Sequence, residues 1–197
     1  MPKEVEIKFR IENLPALTQA LNRAGFKRRT RSTHEVNSLY DLAGQKLRKR
    51  GEVLRLRKYG DTWVLTHKTK GKGRHQTTTR HKVRVELETQ VQNGLQMDSI
   101  LRALGFEPTF CYEKYRAEWS DGKGHVVLDE TPLGNFGEIE GPPRWIDQTA
   151  RALGIAPAAY VTKTYAELFF DWKRASRSQA SGMLFRAIGK KSAPKSR

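Results

Sequence analysis

Charged and apolar residues alternate from the start of this chain. In Glu4-Val5-Glu6-Ile7-Lys8-Phe9, an extended strand puts Val5, Ile7 and Phe9 on one face and Glu4, Glu6 and Lys8 on the other. The two-residue period returns along the sequence. Residues 53–58 set Leu54 and Leu56 against Arg55 and Arg57. Residues 63–68 group Val64, Thr66 and Lys68. Residues 83–87 continue it, with Arg84, Glu86 and Glu88 opposite Val83, Val85 and Leu87. Strands are also expected at 35–40, 113–119, 125–130 and 136–140. The turn signals lie at Gly60-Asp61, 121–124 and 132–135.

Helical spacing appears at 13–24, where Asn13 is a candidate N-cap and Gly25 a stop, and at 97–104, with the stripe Met97, Ile100, Leu101 and Leu104. Two more helices are expected at 146–153 and 161–172. Residues 47–51 suit a turn or a single helical turn. Residues 70–80, rich in glycine, threonine and cations, suit a long mobile hairpin tip. The first two helices both end in Gly-Phe, a faint sign of two similar halves.

The polar faces repeat one sign at neighbouring positions: Glu4/Glu6, Arg55/Arg57, Glu138/Glu140. Two carboxylates roughly 7 Å apart on one strand face repel by about 2 kcal/mol at an effective dielectric near ~20. A solvated sheet edge relieves that repulsion; so does a cation between the acids. Alternation in many strands, with apolar backs for the helices to cover, suits either an open sheet or a closed barrel with a charged lumen. Segregated like charges favour the lumen, where cations grip phosphate and carboxylates grip the bridging metal. No His or Cys pair stands at zinc spacing, so an oxygen-only donor set points to Mg²⁺ or Mn²⁺. No glycine-rich phosphate loop is present, which leaves phosphate binding to side chains.

The 197 residues carry a net charge of +16, which attracts polyanions. Beyond Asp171 there is no acid, and Lys173, Arg174, Arg177, Arg186, Lys190, Lys191, Lys195 and Arg197 follow. One domain over 1–173 and a loosely ordered basic tail over 174–197 are expected, with nucleic acid as a partner only through that tail. Cys111 is the single cysteine, no apolar run spans a bilayer, and the start shows no leader. A cytoplasmic protein, monomer or homodimer, is the expectation.

Glu4-x-Glu6-x-Lys8 resembles the signature of the CYTH superfamily, the triphosphate tunnel metalloenzymes. Leu54-Arg55-Leu56-Arg57, Lys68, Arg84-x-Glu86-x-Glu88, Lys114-Tyr115-Arg116, Leu128-Asp129-Glu130 and Glu138-Ile139-Glu140 follow in the family's order. The resemblance covers about residues 2 to 172. It implies an α+β fold: a closed eight-stranded antiparallel β-tunnel with a charged lumen, flanked by helices. By the resemblance, Lys8, Arg55, Arg57, Lys68, Arg84, Lys114, Arg116 and Lys163 bind a triphosphate. Glu4, Glu6, Glu86, Glu88, Asp129, Glu138 and Glu140 serve the metal, with Glu86 and Glu88 alternatively orienting the cations. Glu4, Glu6, Lys8 and Lys68 form the catalytic group. Tyr40 is either close to substrate or a core tyrosine. The segments at 113–116 and 133–140 look most like class IV adenylyl cyclases, which make cyclic AMP and pyrophosphate from ATP. Hydrolysis of tripolyphosphate, a nucleoside triphosphate or thiamine triphosphate is the alternative. A non-catalytic polyphosphate- or RNA-binding module is the third reading.

Overall fold

The computed structural model describes residues 3–70 and 81–189. Eight strands close into a barrel: β1 (Lys3–Ile11), β2 (Lys27–Leu42), β3 (Val53–Tyr59), β4 (Thr62–Lys70), β5 (Lys82–Val91), β6 (Phe106–Ser120), β7 (His125–Thr131) and β8 (Gly134–Glu140). Around the barrel their order is β1-β5-β4-β3-β2-β6-β7-β8, and every neighbouring pair is antiparallel. Six helices flank it: α1 (Leu14–Arg23), α2 (Lys46–Arg50), α3 (Gly94–Ala103), α4 (Pro143–Ala152), α5 (Tyr165–Ser176) and α6 (Phe185–Ile188). The expected fold class is the observed one.

The suspected halves are real. Strand, helix and long strand recur as β1-α1-β2 and β5-α3-β6, and like pairs with like across β1/β5 and β2/β6. Both helices start on an asparagine whose side chain accepts the backbone N–H three residues on, Asn13 from Ala16 and Asn93 from Gln96.

Strand parity sorts the core into three parts. Outward-facing Ile7, Phe9, Trp119, Val126, Leu128 and Ile139 pack under α1 and α4 through Leu21 and Ile146. Tyr40, Leu56, Leu54 and Leu65 pack under α3 through Leu101 and Met97. The third cluster lies inside. Phe110, Tyr112 and Phe136 stand on the lumen side of β6 and β8, where Tyr165 and Phe169 of α5 meet them. That helix closes one end of the tunnel.

Three expectations on the chain's course change. The strand expected at 35–40 is longer: β2 runs from Lys27 to Leu42, because β6 is long enough to pair with it from Phe106 to Ser120. The last helix begins at Tyr165 instead of 161. Val161 N–H bonds the Lys8 carbonyl at 2.7 Å, and Thr164 with Glu167 forms a reciprocal cap that starts the helix there. The loosely ordered tail does not describe residues 178–189. Met183 is fully buried and exchanges backbone hydrogen bonds of 3.0 Å with Cys111 and Glu113. It joins β6 where β7 has ended: the β6/β7 ladder runs only from Tyr115 to Ser120. Residues 190–197, and 71–80 within the expected hairpin tip, lie outside the described residues.

Gly137 on β8 faces Phe9 across the ladder, and a Cβ there would lie 2.2 Å from the Phe9 ring. Gly137→Ala is expected to cost about 2 kcal/mol of stability by overpacking, read from urea unfolding.

Candidate active site

A nearly continuous ring of alternating charge lines the lumen. Starting at β6, Lys114 Nζ lies 2.8 Å from Asp129 Oδ2 and 3.5 Å from Glu35 Oε1. Arg116 binds both Asp129 oxygens, at 2.7 and 2.6 Å, and reaches Glu138 at 2.6 Å. Lys8 meets Glu138 at 3.2 Å. On the opposite wall Arg57 contacts Glu88 at 3.3 Å and Glu35 at 4.0 Å. Arg55 lies between Glu86 and Glu88, at 3.9 and 3.8 Å, and donates to the Thr66 hydroxyl at 3.3 Å. Lys68 is held by Glu4 at 2.7 Å and Glu86 at 3.0 Å. Strand parity delivers all of them: each lies two or four residues from another lumen residue of its own strand.

Burial and charge act against each other here. Burial opposes ionisation of Glu35, yet Lys114, Arg116, Arg55 and Arg57 hold its pKa down to about 2. Burial and the neighbouring Arg116 both work against the Lys114 ammonium. Asp129, Glu35 and Glu138 still carry its pKa above the ordinary lysine value.

The alternation breaks at one place. Glu6 and Glu140 are direct partners across β1 and β8, and Glu4 stands two residues from Glu6 on the same face. Like charges directly opposed destabilise a sheet. Burial, then Glu4 and Glu6, push the Glu140 pKa up to about 7; Lys68 pulls the other way and Glu86 adds to the rise. Among the described residues no three acids already form a closed coordination shell. The donor chemistry nevertheless fits a hard divalent ion that keeps some of its waters, since Glu4, Glu6, Glu86 and Glu140 offer oxygen only and share an excess of negative charge.

A second irregularity lies on the cation side. The Nε donors of Arg55 and Arg57 are buried without an acceptor, as are the Glu35 Oε2 and Asn37 Oδ1 acceptors. A buried guanidinium donor left open is costly. An anion between β3 and the β6 wall would supply the missing oxygens.

A CYTH domain model matches residues 2–165. The chain belongs to the CYTH family. Among curated proteins none matches it. Solved structures that share the fold include three from different organisms. A "putative adenylate cyclase" from Vibrio parahaemolyticus has a TM-score of 0.72 and 20% identity, covering 85% of this chain and 97% of that one. The PH1819 protein of Pyrococcus horikoshii has a TM-score of 0.67 and 24% identity, covering 86% and 99%. A Hippeastrum "putative adenylyl cyclase" that "reveals a dominant" triphosphatase activity has a TM-score of 0.58 and 20% identity, covering 86% and 96%.

Against this CYTH frame the expected site residues fall into groups. Lys8, Arg55, Arg57, Lys68, Lys114 and Arg116 converge on the lumen, and Arg84 is placed there by its register opposite Glu4. Glu4, Glu6 and Glu140 gather at the break. Glu86 and Glu88 chiefly orient cations, the second of the two roles open to them. Asp129, expected at the metal, is instead fully buried under Lys114, Arg116 and the Tyr165 hydroxyl, which leaves its oxygens committed. Glu138 is likewise paired with Lys8 and Arg116. Lys163 does not reach the tunnel: it is 58% exposed and pairs with Asp171 at 2.6 Å, because it precedes α5 on the outer surface. Tyr40 is a core tyrosine, bonded to Asp98 of α3. The sequence reading missed Glu35, Asn37 and Tyr165. The first two follow the alternation of β2; Tyr165 carried no signal, being one of several aromatics in an amphipathic helix.

Because the Glu140 pKa is raised in the folded protein, the stability this group contributes is present at low pH and lost as pH climbs from about 4.5 to about 7. Glu140 stands at the open mouth, where solvent screening limits the effect to about 1 kcal/mol. Melting curves across pH are expected to show this loss in the metal-free protein, to recover with Mg²⁺ or Mn²⁺ above pH 7, and to flatten in Glu140→Gln.

Proposed function

We propose that this protein is a divalent-metal-dependent enzyme that grips a triphosphate in its tunnel and hydrolyses a phosphoanhydride bond. The open Nε donors of Arg55 and Arg57, in a lumen that also gathers Glu4, Glu6 and Glu140, carry the reading. Arg55, Arg57 and Arg84 bind phosphate oxygens from one wall, Lys8, Lys114 and Arg116 from the other. To do so they exchange partners: Glu88 releases Arg57, and Glu138 releases Lys8. Asp129 keeps Lys114 and Arg116 aimed while this happens.

Glu4, Glu6 and Glu140, with Glu86 beside them, would hold the ion, which supplies charge neutralisation and activation of the attacking oxygen. Water attacks the terminal phosphorus, the bond from that phosphorus to the bridging oxygen breaks, the electron pair leaves with the diphosphate, and the proton the water gives up passes to that leaving group or to solvent. The arginines and lysines offset the charge that spreads over the phosphoryl oxygens.

The choice between hydrolysis and cyclisation depends on what holds the remainder of the substrate. The segments at 113–116 and 133–140 favour a cyclase, and so does the name of the Vibrio neighbour. A cyclase must also seat the adenosine. Among the described residues, the aromatic rings of the lumen, Phe110, Tyr112, Phe136, Tyr165 and Phe169, sit together at the closed end. The open end presents charge. That arrangement serves phosphates and leaves a base outside, which supports hydrolysis first and cyclisation second. The Hippeastrum protein, whose name joins both activities, shares this fold.

Purified protein with Mg²⁺ or Mn²⁺ is expected to release phosphate from tripolyphosphate or ATP. Cyclic AMP with pyrophosphate from ATP would transfer the assignment to the cyclase, and no turnover of any triphosphate would overturn both. Arg57→Ala is expected to raise KM by about 10-fold or more through loss of a charged phosphate contact. Glu6→Gln is expected to raise the metal concentration needed for half-maximal rate while tripolyphosphate still binds.

A further inference from the structure

The family match ends at Tyr165, the first residue of α5, yet this side chain is central to the phosphate-binding wall. Its ring centroid lies 4.0 Å from Lys8 Nζ and 5.0 Å from Lys114 Nζ. Its hydroxyl donates to Asp129 Oδ2 at 2.7 Å, the oxygen that also accepts from Lys114 and Arg116. One side chain therefore lies against both lysines of that wall and bonds the carboxylate that aims Lys114 and Arg116.

The ring is itself held from behind. Phe136 meets it edge-on at 5.6 Å and Tyr112 lies 5.7 Å away. Farther along α5, Phe169 packs on Phe110 at 5.3 Å. Ala180, Met183 and Ile188 of the C-terminal segment complete the same cluster. That segment is tied to β6 by Met183 and by Phe185 N–H, which donates to Glu113 Oε1 at 2.6 Å. Gly182 runs so close to β6 that a Cβ would lie 2.5 Å from the Cys111 carbonyl oxygen.

We propose that Tyr165, held at the closed end of the tunnel by α5 and residues 180–188, is a positioning residue that fixes the Lys8 and Lys114 ammonium groups for the substrate's phosphates. The role rests on the triphosphate reading above. Its physical basis is the difference between a ring and a carboxylate as partners of a cation. A carboxylate neutralises an ammonium and has to be displaced by the phosphate. The ring quadrupole steadies the ammonium and leaves its charge intact. Lys8 and Lys114 already pair with Glu138, Asp129 and Glu35; the ring adds a neutral contact that keeps each ammonium in place when phosphate displaces those acids.

The test uses the full chain and two measurements. Proton NMR of the lysine side chains reports the ring directly, because methylene protons close to an aromatic face are shifted upfield. Calorimetric titration with tripolyphosphate, without metal, reports the phosphate wall. Tyr165→Phe keeps the ring and is expected to retain the shifted signals and lose about 3-fold in affinity, the effect of one hydrogen bond. Tyr165→Leu is expected to lose the signals and about 10-fold or more in affinity. Gly182→Ala, which pushes the docked segment off β6, is expected to fall between the two with the barrel still melting cooperatively. Shifted signals lost in Tyr165→Leu with affinity unchanged would overturn the positioning role alone, as would their absence from the wild-type protein. Failure of the wild-type protein to bind tripolyphosphate would overturn the triphosphate reading, and this role with it.

Discussion

Removing an ammonium or carboxylate from water costs several kcal/mol unless an opposite charge and further hydrogen bonds replace the solvent. This barrel does so repeatedly. Lys114, Glu35 and Asp129 are almost wholly buried, and Arg116 nearly so. Each is tolerated because the next strand brings a partner of opposite sign to within hydrogen-bonding reach. The ring of alternating charge is therefore the condition for a closed tunnel with a polar interior, and its strand order follows from that condition as much as from the apolar backs of the strands.

A lumen whose charges were all matched would be inert. Function enters at the two places where matching stops. On one wall two guanidinium donors have no acceptor; on another, carboxylates from β1 and β8 face each other directly. Both defects lower stability, and on the proposed reading a metal-bound polyphosphate would remove both, its oxygens answering the first and its cation the second. Site and strain are in this sense the same feature, since whatever relieves the strain gains that energy as affinity.

The helical C-terminal region gives the tunnel a closed end. In an open-ended barrel, water would reach Lys8 and Lys114 from both sides and weaken every interaction on that wall. The aromatic plug built by α5, together with the segment that completes the edge of β6, excludes that solvent and adds a polar hydroxyl at the one point where Asp129 can use it. A stretch whose composition suggests a solvated basic tail thus contributes Met183 to the buried aromatic cluster and packs Phe185 on Tyr115.

Much of this was legible in the order of the residues. A period of two is a local property, so the side of each strand on which Glu4, Arg57 or Glu138 stands could be read without coordinates. The one-sided excess of like charge also pointed to a lumen and to an oxygen-only metal. Which charge faces which was not legible, because register across a barrel depends on eight strands closing together. Only closure committed Asp129 to Lys114 and Arg116, brought Glu140 against Glu6, and left Lys163 outside. Tyr165 illustrates the limit most plainly. An aromatic at the start of an amphipathic helix looks like ordinary core, and its polar edge acquires a meaning only when tertiary packing delivers it to a buried carboxylate.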